Sequence, residues 1–276
     1  MKSRSIDIVI PTLDGKMLFQ TINSINSGIV KPKKIYCIYF NDIRKNKFKK
    51  FQNIKFIKSN LKGQVEQRNL GFSYCKSELV IQCDDDVKFK RDTIQKLLIT
   101  KKMLGKKFLV GPRFFDKRNI PLHTSEKNEN FFINLYKTLI CDAPYGAIKY
   151  GKITSLTLSY GPGINKGKKY TEVDWLPGGC IMFSRNLLKE RFKKFKFQGK
   201  AYCEDIFFSL QRNTKGYSHV VCNNSIAFTE ISKNNFNLNE FFKEIKVRKS
   251  LLSFTGGNII RFRLWMIFEL ILRVVR

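Results

Sequence analysis

Apolar residues follow two rhythms along this chain, and the alternation between them predicts its architecture. Residues 5–12 read Ser-Ile-Asp-Ile-Val-Ile-Pro-Thr, a short apolar run closed by Pro11-Thr12, as a buried strand does. Residues 17–27 then place Leu18, Ile22 and Ile25 at helical spacing before Gly28. Residues 34–40 predict a second strand ending at Asn41-Asp42, and residues 53–59 a short third. A helix over 64–74 leads into Leu79-Val80-Ile81-Gln82-Cys83, an apolar run that stops abruptly at Asp84-Asp85-Asp86. A further helix is predicted over 92–104 and a further strand over 107–112. Strands alternating with helices predict an α/β fold, a doubly wound, mostly parallel sheet with helices on both faces. Ligands of such sheets sit beyond the carboxyl ends of the strands. Pro11-Thr12, Asn41-Asp42 and the acidic triplet all fall there.

After residue 112 the pattern loosens. Residues 113–173 show no clear period and contain Pro, Gly and Tyr-rich pieces such as Asp142-Ala143-Pro144-Tyr145-Gly146 and Tyr160-Gly161-Pro162-Gly163. A loop of that length is usually functional or mobile. Its glycines lack the dinucleotide-binding spacing and read as turns. Regular structure resumes over 175–183, with a helix expected from about residue 185, a second from Glu204-Asp205 through residue 210, and a strand over 217–222. Residues 259–276, IIRFRLWMIFELILRVVR, gather Arg261, Glu269, Arg273 and Arg276 in about one third of a helical wheel, with Arg263 outside it. These charges interrupt any apolar span of about 20 residues, so an amphipathic helix on a membrane surface is expected in preference to a spanning one. Packing against the domain is the competing expectation.

Charge narrows the partners. With 52 Lys+Arg against 22 Asp+Glu, the net charge of +30 calls for something anionic: nucleic acid, nucleotide phosphates or an acidic membrane. In so basic a chain, three adjacent carboxylates mark a site, because they repel one another unless a cation or hydrogen-bond donors compensate them. Hard oxygen donors suit Mg²⁺ or Mn²⁺. The seven cysteines are odd in number and never spaced Cys-x-x-Cys, which argues against a disulfide framework or structural zinc and fits a reducing cytosol. No secretory leader is expected, since residues 6–10 are too short a run and contain Asp7. The two histidines, His123 and His219, and the lack of a Gly-x-Ser-x-Gly elbow leave the chemistry to carboxylates.

Six motifs then occur in a telling order: Val9-Ile10-Pro11-Thr12, Asn41-Asp42, Gln67-Arg68-Asn69-Leu70-Gly71, Asp84-Asp85-Asp86, Trp175-Leu176-Pro177-Gly178-Gly179 and Glu204-Asp205. Together, over about residues 5–229, they resemble the inverting, family 2 nucleotide-sugar glycosyltransferases of GT-A fold. The resemblance implies a GT-A domain over 1–235, its nucleotide-binding part about 1–112 and its acceptor-side part about 113–235, followed by a helical segment over 236–276. It implies a nucleoside-diphosphate sugar as donor, UDP- or dTDP-linked, a glycan or lipid-linked acceptor, and Mn²⁺ or Mg²⁺ as cofactor. Pro11, Thr12, Asp42, Arg68, Asp84 and Asp85 would bind the nucleotide, Asp42 through the base. Asp86, with Asp84, would hold the metal. Asp205 beside Glu204 would be the general base, and Trp175, Gly178 and Gly179 would floor the acceptor site. The implied setting is the inner face of the cytoplasmic membrane, in bacterial-type surface polysaccharide or lipooligosaccharide synthesis. One departure stands out: Phe228-Thr229-Glu230 lies where many relatives carry a histidine.

Two other classes compete. A nucleic-acid-binding protein would suit the charge but leaves the acid triplet unexplained, so no nucleic-acid partner is expected. A nucleotidyltransferase would use metal-binding acids but needs a glycine-rich, Lys-containing loop near the first strand, where Pro11-Thr12 stands instead.

Overall fold

The computed structural model describes residues 5–122, 131–142, 151–159, 161, 167–190, 197, 201–230 and 236–275. The first apolar run forms β1 (Ile6–Thr12), buried along its whole length. Parallel neighbours flank it, β2 (Lys34–Tyr39) on one side and β4 (Leu79–Cys83) on the other, with β3 (Ile54–Lys58) parallel to β2. The period of two decides what each face meets. Ile6, Ile8 and Ile10 join Leu18, Ile22 and Ile25 of α1 (Leu18–Asn26) and Ile94 and Leu97 of α3 (Thr93–Leu104). Val9 turns the other way, toward Leu70 and Phe72 of α2 (Gln64–Tyr74). Helices thus cover both faces. Gly71 sets how closely α2 lies on the sheet, because a Cβ there would come 2.4 Å from Val9 Cγ1. That approach carries Gln67 and Arg68 to the strand ends. Buried Gln67 donates from Nε2 to the carbonyls of Thr12 (2.7 Å) and Ile38 (2.8 Å), tying β1 to β2 where both stop.

Beyond β4 the sheet continues through β8 (Cys180–Ser184), β6 (Phe108–Phe115), β9 (Ser218–Phe228) and the two-residue β5 (Lys88–Phe89), while β7 (Tyr170–Val173) pairs with β9. β8 runs antiparallel to both β4 and β6, and β5 and β7 run antiparallel to β9; the other six strands share one direction. The sheet is therefore mostly parallel with reversed strands in its second half. β8 enters between β4 and β6 from a distant stretch of chain, free of the crossover constraint on a local strand–helix–strand unit.

The expected loop over 113–173 is only partly a loop. It holds α4 (Phe131–Leu139) and β7, the latter too short to show a period. Where a helix was expected from residue 185, the structure has a 3₁₀ turn over Arg185–Lys189. β9 continues past the expected end at 222, through Asn223, Asn224 and Ser225 to Phe228, with a register shift opposite Pro112 and Arg113. The expected turns at 143–146 and 162–163, and His123, lie outside the described residues.

The C-terminal segment packs on the half of the chain that follows residue 112. α5 (Glu204–Asn213) gives Ile206 and Phe207 to a cluster with Val247 and Leu251 of α6 (Leu238–Thr255). Phe241, Ile245 and Leu252 of α6 meet Phe262 and Trp265 of α7 (Ile259–Val275). Phe262 and Trp265 are therefore 2 % and 4 % exposed, turned to the protein and not to a surface. Among the described residues no helix is long and apolar enough to cross a membrane.

Candidate active site

The three acids leave the end of β4 in different directions. Asp84 anchors its backbone N–H on the carbonyl of Gly179 (2.9 Å), accepts from Gln64 Nε2 (2.7 Å) and pairs with Arg68. Asp85 accepts from the hydroxyl of Thr12, and its carbonyl accepts from the Thr21 hydroxyl at 2.6 Å. Asp86 accepts from the Thr229 hydroxyl at 3.1 Å. Thr229 belongs to the stretch that replaces the expected histidine, so a hydroxyl meets Asp86 there. The triplet opens into a cleft of about 790 Å³, walled also by Pro11 and Thr12, by residues 62–67 at the start of α2, and by Phe197 and Ala201. Small-ligand sites span roughly 300–1,000 Å³.

The acids differ in how their charge is met. Asp84 has the Arg68 guanidinium. Among the described residues Asp85 and Asp86 have hydroxyl partners in place of a cation, and their environment opposes ionisation. Burial, with the neighbouring carboxylates, pushes Asp85 up to about 6 against the pull of the Thr12 hydroxyl. Burial and Asp84 raise Asp86 in the same direction. A carboxylate held this way is relieved by a cation. Among the described residues no three His, Cys, Asp or Glu side chains converge as a metal cage.

Arg68 joins two motifs that lie 136 residues apart. Its side chain is 4 % exposed and pairs with Glu204, the first residue of α5, as well as with Asp84. It also donates to the carbonyl of Gly178 at 3.3 Å, which accepts from Gln82 Nε2 at 2.9 Å. The backbone at Gly178 and Gly179 lies directly against this cluster. A Cβ on Gly178 would sit 3.3 Å from Glu204 Oε1, and one on Gly179 would sit 3.6 Å from Asp84 Oδ2. Burial pushes Glu204 up to about 7, with Arg68 pulling against it. Glu204 Oε2 and Arg68 Nε are buried without a hydrogen-bond partner among the described residues.

Asp205 follows Glu204 but is held differently. Its Oδ1 accepts from the N–H of Ile206 (2.9 Å), burial raises its pKa, and Arg248 of α6 and Arg68 pull it down from a distance. Asp205 does not itself line the cleft, whose wall nearest to it in sequence is Ala201. Asp42 follows the end of β2 with its side chain 85 % exposed and pairs with Lys58 at 3.0 Å, outside the cleft wall. Trp175, expected as an acceptor floor, is 5 % exposed and does not line the cleft. His219 is fully buried in β9 and lowered to about 3 by burial, which keeps it neutral and structural.

The expectations for Pro11, Thr12, Arg68, Asp84, Asp85, Asp86, Gly178, Gly179 and Glu204 therefore meet in one place. The sequence reading had no role for Gln64, Gln67 or Thr229. Gln67 stands inside the quoted Gln67-Arg68-Asn69 motif, the one signal that could have found it.

The fold is shared with solved glycosyltransferase structures. The crystal structure of GalNAc-T7 with UDP, GalNAc and Mn²⁺ superposes with a TM-score of 0.62 at 13 % identity, over 85 % of this chain and 45 % of that one. S. aureus TarS 1–349 gives 0.56 at 13 % identity, over 89 % of this chain and 64 % of that one. S. aureus TarS gives 0.54 at 12 % identity, over 90 % and 39 %. The chain thus spans less than two thirds of the length of each. No curated protein matches its sequence. The mixed sheet, its helices and these neighbours make the fold GT-A. Residues 7–192 match the model of glycosyl transferase family 2, more than half of the chain, and the protein belongs to that family of glycosyltransferases.

Proposed function

We propose that this glycosyltransferase moves a sugar from a UDP- or dTDP-linked donor to a hydroxyl of a glycan or lipid-linked acceptor. The transfer inverts the anomeric centre by single displacement and serves bacterial-type surface polysaccharide or lipooligosaccharide synthesis at the inner face of the cytoplasmic membrane. The observation that carries the reading is the acid triplet opening from β4 into the cleft, with Asp85 and Asp86 lacking a cationic partner among the described residues.

The donor set fits a hard divalent cation. Mg²⁺ and Mn²⁺ take one or two carboxylates and complete their shells with water and substrate phosphates, so a cage of three protein ligands is not required. Asp86, with Asp84, would hold the ion. When bound, Mn²⁺ or Mg²⁺ supplies positive charge against the diphosphate leaving group. GalNAc-T7 was crystallised with both UDP and Mn²⁺, which supports the reading.

The chain's own residues do the rest. Arg68 and Gln64 hold the orientation of Asp84, and Thr12 holds Asp85. Asp42, at the end of β2, accepts the ring N–H of uracil or thymine, exchanging an exposed pair with Lys58 that solvent screens. Asp205 takes the proton of the acceptor hydroxyl. It suits this role better than Glu204, whose carboxylate is occupied by Arg68. Gly178 and Gly179 bring backbone against the acid cluster.

The test is release of the nucleotide, a nucleoside diphosphate from UDP-, dTDP- and GDP-linked sugars and CMP from a CMP-linked sugar, with Mn²⁺ and no added acceptor. Slow hydrolysis of a UDP- or dTDP-sugar is expected. Release confined to a GDP- or CMP-sugar would contradict the base assignment, and release from none would remove the donor reading.

A further inference from the structure

α7 is amphipathic in an inverted sense. Arg261, Glu269 and Arg273 turn toward the protein. Arg261 pairs with Asp142 (2.6 Å) and donates to the carbonyls of Thr138 and Leu139 at the end of α4, while Arg273 joins Glu269 (2.8 Å) and Glu244 of α6 (3.2 Å). The opposite face carries Ile260, Leu264, Ile267, Phe268, Ile271 and Val274, each between 42 % and 65 % exposed. At the helical repeat these six occupy an arc of about 120°. α4 lies alongside, tied by Arg261 and by the ring contact of Tyr136 with Phe268 (5.8 Å), and adds Leu135 and Leu139, 42 % and 58 % exposed. Singly exposed apolar residues are ordinary, but a contiguous face two helices wide marks an interaction surface.

We infer that this face docks the enzyme on an anionic lipid bilayer. The charge around it selects that occupant. Residues 236–275 hold seven Lys+Arg against three Asp+Glu. Glu240, Glu244 and Glu269 are all engaged by basic residues of the same segment. Lys246 and Lys249 of α6 and Arg263, at the edge of the apolar arc, are exposed. Such a face offers apolar area to the acyl boundary and positive charge to acidic headgroups, two terms that act together. A second copy of the chain is the poorer occupant, because joining two bodies of charge +30 through this face opposes like charges. α6 connects the face to the chemistry: its Val247 and Leu251 pack on Ile206 and Phe207 of α5, the helix that opens with Glu204 and Asp205. Docking would hold those acids at a fixed height above the membrane. The inference is independent of the donor and metal assignments, so its failure leaves them standing.

The experiment is co-sedimentation of the full chain with phosphatidylglycerol–phosphatidylcholine vesicles, beside pure phosphatidylcholine vesicles and sedimentation velocity without lipid. Wild type is expected to bind the anionic vesicles, more weakly as salt rises. I267E/I271E is expected to lower partitioning at least about tenfold with its unfolding temperature kept, since both positions are exposed. Arg263→Glu is expected to lower binding several-fold on anionic vesicles alone. Equal pelleting of wild type and I267E/I271E would overturn the inference. So would a wild-type dimer that the double variant turns into a monomer, which would assign the face to self-association. Should the double variant fail to fold, Arg263→Glu decides, and unchanged binding overturns it.

Discussion

Asp205→Asn is expected to lower kcat by roughly 10²-fold or more while leaving nucleoside diphosphate affinity unchanged. The substitution keeps the shape and the bond from the Ile206 N–H but removes the proton acceptor. An acceptor hydroxyl is a poor nucleophile until its proton is taken, so the loss appears in turnover. The pH profile carries the same information with a definite sign. A base must be ionised, and burial raises the Asp205 pKa above the ordinary aspartate value of 3.8. Activity therefore falls as pH drops through that raised pKa, higher than an exposed aspartate would place the limb, and the Asn variant loses the limb. Turnover of the Asn variant at the wild-type rate would move the base to Glu204 or to another acceptor-side acid.

Arg68→Met is expected to lower stability by about 3–5 kcal/mol, which for a domain of this size is an unfolding temperature lower by about 10 °C. The reason is what remains behind: Glu204, with its side chain 9 % exposed, and partly buried Asp84 lose their common cation. Breaking a buried pair by removing one partner costs more than the pair itself contributes. Glu204→Gln in the Arg68→Met background should therefore recover part of the loss, because it removes one stranded charge. Differential scanning calorimetry of the two variants distinguishes this from simple loss of packing, which the second substitution would leave uncorrected. An Arg68→Met protein with the wild-type unfolding temperature would show that the pair carries no buried charge.

What the sequence showed, and what it hid, follows from the range of the signal. β1, α1, β2, α2, β4 and α3 are local patterns: Ile6, Ile8 and Ile10 alternate, Leu18, Ile22 and Ile25 recur at helical spacing, and each element writes its own period. The acid triplet was legible because three carboxylates ending an apolar strand are chemically unusual in a chain of net charge +30. The pairing of Arg68 with Glu204 was not, since a salt bridge across 136 residues leaves no local trace. β7 and β5 are too short to show a period, and β9 runs through Asn223 and Asn224, a residue type depleted in strands. For α7 the wheel correctly separated a charged arc from an apolar one. It could not say which arc faces the protein, and Glu244, Asp142 and the carbonyls ending α4 drew the charged arc inward. Trp175 shows the same limit: an aromatic in a glycine-rich motif looks like a sugar platform, and burial decides otherwise in this conformation.

The most direct test is calorimetric titration of UDP and dTDP into wild type and Asp86→Ala, each in Mn²⁺ and in EDTA. A metal-dependent nucleotide site at Asp86 predicts that wild type binds one of the two nucleotides in Mn²⁺ and loses most of that affinity in EDTA, and that the folded Asp86→Ala protein shows no difference between the two conditions. Equal affinity of wild type in Mn²⁺ and EDTA, or a full metal response in Asp86→Ala, would contradict it.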